Sequence, residues 1–393
     1  MRKGWQIVEL GDNCEVLDSK RKPITKKNRV SGPYPYYGAT GLLDHVEGYL
    51  FDEPLVLVGE DGAKWEAGAN SAYAVNGKTW VNNHAHVLRP LRHITNDQWL
   101  IYYLNFSDLM PFITGLTVPK LNQAKLKSIP IPLPPLPEQE RIVSILDKAF
   151  EGIDKAIAHT EQNLASAREL FESYLNNIFT QKGEDWVEKK LGDVCRIKHG
   201  FAFKSQFFTT EGDLVVLTPG SFQESGGFRE QGEKTKYYDG DYPDDYLLKK
   251  GDFLFAMTEQ AVGLLGSSLV VPCSDRFLHN QRLGLVQPND GMVWCNDFFK
   301  HQFNTSAFRA SVQATASGAK VRHTSPKKLG AITVHYPLSF EEQQRIGQRL
   351  DDYLSYTKQL EALYTQKLND LKELKQSLLQ QAFAGELTKE DAA

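Results

Sequence analysis

Two long stretches of the chain place apolar or small residues at alternating steps of three and four. The first runs Val143, Leu146, Phe150, Ile153, Ile157, Thr160, Leu164, Ala167, Phe171, Tyr174, Ile178, a heptad pattern interrupted by one polar residue at Thr160. The second runs Leu350, Tyr353, Thr357, Leu360, Tyr364, Leu371, Leu374 and Leu378. This spacing predicts two long helices, each with one apolar seam. A helix of about 40 residues extends about 60 Å at 1.5 Å per residue, longer than a domain of this size is wide. A pair of helices packed on each other therefore accounts for the seams better than two core helices, each lying on its own domain.

The remaining residues read differently. Short β-rich runs such as Leu55–Val58, Val87–Arg89, Leu214–Leu217 and Phe253–Phe255 are punctuated by Gly, Pro, Asn and Asp, which predicts mixed α/β globular domains. A proline-rich strip from Pro130 to Pro137 precedes the first long helix. It cannot be helical throughout, because each proline removes a donor and restricts its predecessor. The helix is expected to start at Glu138.

The chain is written twice. Trp5, Leu10, Gly11, Asp12 and Cys14 recur with identical spacing as Trp186, Leu191, Gly192, Asp193 and Cys195, and Asn82 and Pro90 recur as Asn280 and Pro288. Gly115–Leu126 matches Gly318–Leu329 without a gap, and Glu138, Gln139, Arg141 and Ile142 return as Glu342, Gln343, Arg345 and Ile346. Asp147, Leu164, Leu170, Leu175 and Phe179 return as Asp351, Leu368, Leu374, Leu379 and Phe383. Anchors in the same order throughout mark an internal duplication. The expected organisation is a first domain over 1–137, a helix over 138–182, a second domain over 183–340, a second helix over 341–385 and a tail over 386–393.

Charge sharpens this division. The net charge is −4, yet residues 1–137 carry 15 Lys and Arg against 13 acids, whereas residues 138–180 carry 4 against 8. The second copy repeats the contrast, with 19 against 18 over 181–340 and 7 against 10 over 341–393. No apolar run approaches a membrane span, and Met1–Leu10 lacks the apolar core of a signal peptide, so a cytoplasmic protein without a membrane association is expected. Cys14, Cys195, Cys273 and Cys295 have neither a C-x-x-C pair nor histidines at zinc-finger spacing, which predicts reduced core residues and no metal site.

The proline strip followed by Glu138, Gln139, Glu140, Arg141 and Ile142, with its echo from Tyr336 to Gln343, resembles specificity subunits of type I restriction-modification systems. Similarity extends over nearly the whole chain and includes the string from Gly200 to Ser205, which has no equivalent in the first domain. The resemblance implies two target-recognition domains separated by two long helices in an antiparallel coiled coil, an α+β fold with internal pseudo-two-fold symmetry. It further implies a non-catalytic reader of a bipartite, asymmetric site in double-stranded DNA. Such a chain would scaffold two copies of an adenine methyltransferase subunit and the restriction subunits, which would carry S-adenosylmethionine, ATP and Mg. The alternative is a DNA-binding regulator with a coiled-coil dimerisation arm.

Candidate chemistry agrees with a reader. No Asn-Pro-Pro-Tyr string or glycine-rich cofactor loop is present. Ala72–Thr79 matches the phosphate-loop spacing, but Trp80–Asn83 reads as strand or turn where a helix N-terminus is required, so the match reads as coincidence. His84 and His86 could share a strand face as metal ligands, but no third ligand is visible at suitable spacing. The acids around Asp244 and Asp245 read as a solvated loop. The candidate DNA contacts are Lys20, Arg21, Lys22, Lys26, Lys27 and Arg29, followed by Tyr34, Tyr36 and Tyr37. Basic side chains there would neutralise phosphates while nearby aromatic groups reach bases or sugars. In the repeated stretch the candidates are Thr117 and Lys120, matched by Lys320, Arg322 and His323, with Lys198 and Lys204 near the start of the second domain.

Overall fold

A computed structural model describes residues 4–115, 117–260 and 262–388. Met1–Lys3 of the first expected domain and residues 389–393 of the expected tail lie outside the described residues. The chain divides into two compact units, one of residues 1–162 with 365–393 and the other of residues 163–364.

In the first unit, strand Gln6–Glu9 pairs antiparallel with Pro130–Leu133, so the proline strip begins as a strand. Pro130 and Pro132 are tolerated because this two-stranded ribbon has an unpaired edge. A four-stranded sheet follows in the order Cys14–Val16, Ala85–Pro90, Leu55–Gly59, Ala72–Val75. Leu55–Val58 is apolar at every position because both faces are covered. Val56 and Val58 pack with Leu88, Leu100 and Leu104, while Leu55 and Leu57 pack with Val75, Val81 and Val87. A second sheet has the order Gly41–Val46, Tyr34–Gly38, Lys78–Val81, Phe51–Asp52, with Tyr34–Gly38 and Lys78–Val81 parallel.

The second unit repeats this frame. Trp186–Lys190 pairs with Thr333–Pro337, and a four-stranded sheet runs Cys195–His199, Leu283–Pro288, Phe253–Ala256, Ser268–Val270. Even the register returns: Cys14 lies opposite Pro90, and Cys195 opposite Pro288. The second sheet runs Phe208–Thr209, Tyr237–Tyr238, Val215–Leu217, Phe277–His279, again with one parallel pair.

The long helices span Leu136–Gln181 and Phe340–Ala384, the first starting two residues before Glu138. Each unit takes one part of each helix. In the first unit, Ile142, Val143, Leu146, Phe150 and Ile153 form a core with Trp5, Trp99, Leu379 and Ala382, against which Ile157, Leu371, Leu378 and Phe383 pack. Lys375 bridges to Asp154 at 2.8 Å and lies 4.7 Å from the Phe150 ring. Thr388 donates to Glu138, so the two helical segments run antiparallel. In the second unit Leu350 is buried beside Leu175 and Phe171, and the Tyr174 and Tyr353 rings lie 4.3 Å apart. Arg168 meets Glu361 at 3.4 Å, again an antiparallel pairing. Leu164, Leu360 and Tyr364 are half-buried. The expected polar break at Thr160 costs little, since its hydroxyl donates to the Ala156 carbonyl at 2.7 Å.

Two expectations are corrected. Leu374 is not a seam residue: it is 47% exposed, as is its counterpart Leu170 at 45%. A 3.6-residue period drifts against a strict heptad, and the seam passes instead through Lys375, Leu379 and Ala382. The helices are also more than a paired rod, because the head itself supplies part of the seam's cover. Phe383 lies 4.8 Å from Trp99, 5.1 Å from Tyr103 and 5.2 Å from Phe106.

The glutamine of the Glu-Gln repeat explains how each helix is joined to its head. Gln139 is fully buried, accepts from the Asn96 N–H at 2.9 Å and donates to the Ile94 and Pro134 carbonyls, both at 2.8 Å. Gln343, equally buried, accepts from the Cys295 N–H at 2.9 Å and donates to Val293 at 3.2 Å and Pro337 at 2.8 Å. One side chain satisfies three backbone groups that would otherwise be stranded inside.

Candidate nucleic-acid interface

The basic segment of the first unit divides into structural and exposed cations. Arg21 donates to the Asp18 carbonyl at 3.1 Å and the Ala85 carbonyl at 2.8 Å, and pairs with the carboxylates of Glu60 and Asp18. Its guanidinium is committed to pinning the segment to the sheet. Arg29 lies 4.4 Å over the Tyr36 ring and bonds the Ile24 carbonyl and Asp44, both at 3.2 Å. Tyr36 is 1% exposed, and its hydroxyl accepts from the Ile24 N–H at 3.0 Å. Arg21, Arg29 and Tyr36 thus shape the segment from beneath. Lys20, Lys22, Lys26 and Lys27 are exposed on it, and the Lys22 backbone is fixed by Val81 and by Trp80, whose indole N–H donates to its carbonyl at 2.6 Å.

Beside Arg21 lies a cluster that sequence spacing does not reveal. Asp18, Glu60 and His86 bring three possible metal-ligand atoms together. His86, fully buried, directs one ring nitrogen at Asp18, 2.6 Å away, and the other at the Leu121 carbonyl, 2.7 Å away. Arg21 and Lys120 already bind the carboxylates, Lys120 reaching Glu60 at 2.8 Å. Burial alone would push the Asp18 carboxyl up, but the His86 hydrogen bond and charge, the Val87 N–H and Arg21 together hold it below its ordinary value. Glu60 is likewise held down against burial, by Lys120, Arg21 and His86. The cluster is an ion-pair network joining residues 18–21, the end of strand Leu55–Gly59 and the loop carrying Lys120. His84, by contrast, is half-exposed and pairs with Asp61.

Of the aromatic residues, Tyr34 forms an edge pair with Tyr49 at 5.1 Å, and Lys78 lies 4.9 Å from the Tyr49 ring. Tyr37 is half-buried beside Tyr73. Lys78, inside the string that matched a phosphate loop, opens a strand whose next residue, Thr79, is fully buried; no helix follows it.

In the second unit Lys198 lies 4.5 Å over Tyr246 and donates to the Asp245 carbonyl at 3.0 Å. Around it Phe201 meets Phe203 at 5.2 Å and Tyr246 at 5.3 Å. Lys204 and Lys320 are exposed. Arg322 pairs at 3.2 Å with Glu259, a carboxylate 2% exposed that also accepts from the Gly263 and Leu265 N–H groups. His323 is exposed and within 3.3 Å of the Ser317 hydroxyl. In the first unit Thr117 is exposed and Lys120 half-buried.

The family model for the type I restriction modification DNA specificity domain matches residues 2–164 and 183–372. The chain belongs to this family. Specificity-domain relatives include a putative type I restriction enzyme specificity subunit of Haemophilus influenzae, 28% identical over 352 residues, covering 88% of this chain and 87% of the relative. The type I restriction enzyme MjaVIII specificity subunit of Methanocaldococcus jannaschii is 26% identical over 285 residues, covering 66% and 65%. Among solved structures, a chain from work on complex assembly and conformational transition of the type I R-M system aligns with a TM-score of 0.73 at 18% identity, covering 98% of this chain and 99% of that one. The HsdS subunit from Thermoanaerobacter tengcongensis aligns with a TM-score of 0.61 at 19% identity, covering 98% of both. These likenesses extend the specificity-subunit fold over both heads and both helices.

Proposed function

We propose that this chain is the DNA-reading, non-catalytic subunit of a type I restriction-modification complex, each head engaging one part of a bipartite site. The observation that carries the reading is the unequal duplication. The first sheet returns with the same strand order and the same Cys–Pro register, while the surfaces flanking it differ: exposed lysines on residues 20–27 in one head, the aromatic group around Lys198 in the other. A common frame with different surfaces suits two half-sites of different sequence, hence an asymmetric address. Lys20, Lys22, Lys26 and Lys27 are the phosphate contacts of the first head, and the exposed Lys204 and Lys320 those of the second. Two methyltransferase copies and the restriction subunits would dock on the chain, with S-adenosylmethionine, ATP and Mg bound by those partners. Among the described residues no helix is long and apolar enough to cross a membrane, which accords with action in the cytoplasm on genomic DNA.

Mapping methylated adenines in a genome carrying this chain with its methyltransferase partner tests the reading. A two-part motif with unlike halves, lost when the gene for this chain is deleted, is expected. Methylation that persists after deletion would overturn it.

A further inference from the structure

One loop is built the same way in both heads although the heads differ around it. In the first, Thr114 and Lys120 exchange backbone hydrogen bonds at 2.9 and 2.8 Å; in the second, Ser317 and His323 do so at 3.0 and 2.9 Å. Gly115 and Gly318 turn these loops at φ +94° and +106°. A Cβ at either would stand 2.3 or 2.1 Å from the carbonyl oxygen of Val118 or Val321, so only glycine closes the loop. Folding leaves the tips outside: Thr117, Val118 and Lys320 are exposed, as is Val321 at 41%.

Each loop is tethered from below by a buried glutamate through a cation, Lys120 to Glu60 and Arg322 to Glu259. The tether is not a simply inherited contact. In the backbone ladder the position of Glu60, whose carbonyl accepts from Leu121, belongs in the second head to Met257, whose carbonyl accepts from Thr324. Glu259 lies two residues further on. The cations are also offset, because Lys120 aligns with His323 and Arg322 with Pro119. The same loop is held twice by an ion pair assembled from different positions.

Charge indicates what the loops meet. Residues 114–127 contain Lys120, Lys125 and Lys127 and no acid, and residues 317–330 contain Lys320, Arg322, Lys327 and Lys328 and no acid, in a chain of 49 acidic residues. A polyanion fits such a surface. Two heads that read different half-sites share the sugar–phosphate backbone, and a feature kept alike in both fits what they share. Resting on the DNA-reading role above, we infer that residues 117–120 and 317–323 grip the phosphate backbone of the two half-sites, with Glu60 and Glu259 as their positioning residues.

The test uses the full chain assembled with its methyltransferase subunit, and two duplexes, one of arbitrary sequence and one carrying the mapped site. Thr117→Asp and Lys320→Asp place negative charge at exposed tips and leave the buried anchors intact. Each is expected to weaken binding to both duplexes by the same factor, about ten-fold, and Lys320→Asp to lower the salt slope by about one. Glu60→Gln and Glu259→Gln should weaken both duplexes alike by a few-fold, with partial rescue by Glu60→Asp and Glu259→Asp. Unaltered affinity in the tip variants, a change in base preference at one position, or loss of the methyltransferase subunit with DNA affinity retained would overturn the inference. Failure of the unsubstituted complex to bind either duplex would instead overturn the DNA-reading role on which it rests.

Discussion

The two heads share their first sheet, their buried glutamine and their tethered loop, and differ in what lies between. At the end of the parallel strand pair the first head places Val81 and the second His279, each followed by the repeated asparagine, Asn82 or Asn280, whose side chain accepts from the N–H two residues on. Both positions are fully buried. One is filled by an aliphatic side chain and the other by an imidazole whose pKa burial lowers to about 4. The asparagine that shapes the backbone is retained while the side chain beside it changes. The repeated residues carry the frame, and the others are free to diverge toward different surfaces.

The largest effects should come from breaking what the heads have in common. Gln139→Leu and Gln343→Leu each strand three buried backbone groups, and each should cost on the order of 3 kcal/mol, read from urea unfolding of the full chain. Costs below about 1 kcal/mol, or a marked difference between the two, would show that the glutamines are not equivalent joints. A similar loss, about 3 kcal/mol, is expected for Arg21→Ala, which leaves Asp18 and Glu60 short of a partner. Replacing Lys20, Lys22, Lys26 and Lys27 together with alanine should change stability by less than about 0.5 kcal/mol. It should instead weaken DNA binding on every sequence and lower the salt slope by about 3.6. A quadruple variant that unfolds, or that binds as before, would erase the division between structural and contacting cations.

The next effect separates the heads by pH. The folded His279 titrates at about 4 against an ordinary value of 6.5, so its contribution to stability is complete above 6.5. It is lost as the pH falls toward 4, where the unfolded chain binds the proton and the folded chain does not. At pH 5 the loss is roughly 2 kcal/mol, and His279→Val should restore that amount relative to pH 7.5. In the first head, Asp18 and Glu60 are held below their ordinary values, so their contribution is full above about pH 5 and fades only as the pH falls below it. Identical unfolding free-energy differences between pH 7.5 and 5 for the unsubstituted and His279→Val chains would contradict this contrast. The smallest effect belongs to Leu374: Leu374→Glu should cost under about 0.5 kcal/mol, whereas Leu379→Glu should severely destabilise the same helix.

Much of the fold was legible in the sequence because duplication shows itself twice over. Trp5 with Trp186 and Gln139 with Gln343 mark equivalent positions of the duplication, and the heptads mark both helices. Leu374 misled because heptad spacing cannot tell a seam residue from its neighbour once the period drifts. The interface was less legible. Six basic residues between Lys20 and Arg29 look alike in a sequence, and only the folded positions of Asp18, Asp44 and Glu60 distinguish Arg21 and Arg29 from the exposed lysines. Glu60 and Glu259 escaped notice since they occupy different ladder positions. The one signal in the sequence is a carboxylate close behind a wholly apolar run, directly after Leu55–Gly59 and one residue further on after Phe253–Met257.

The central claim, that the chain is two interchangeable halves each addressing its own half-site, is tested most directly by residues 1–183 alone. Without residues 365–384, Val143, Leu146, Phe150 and Ile153 lose their cover, an exposure unfavourable by several kcal/mol at about 25 cal/mol per Å². Leu175 and Phe179 stand at the positions of Leu379 and Phe383, so a second copy of the fragment can supply the missing cover and rebuild a two-headed particle with identical heads. Methylation mapping of this fragment with its methyltransferase subunit should return a palindromic interrupted site, the first half-site with its inverted repeat. The asymmetric parental site, or no methylation from a fragment that sediments as a stable monomer, would contradict the account.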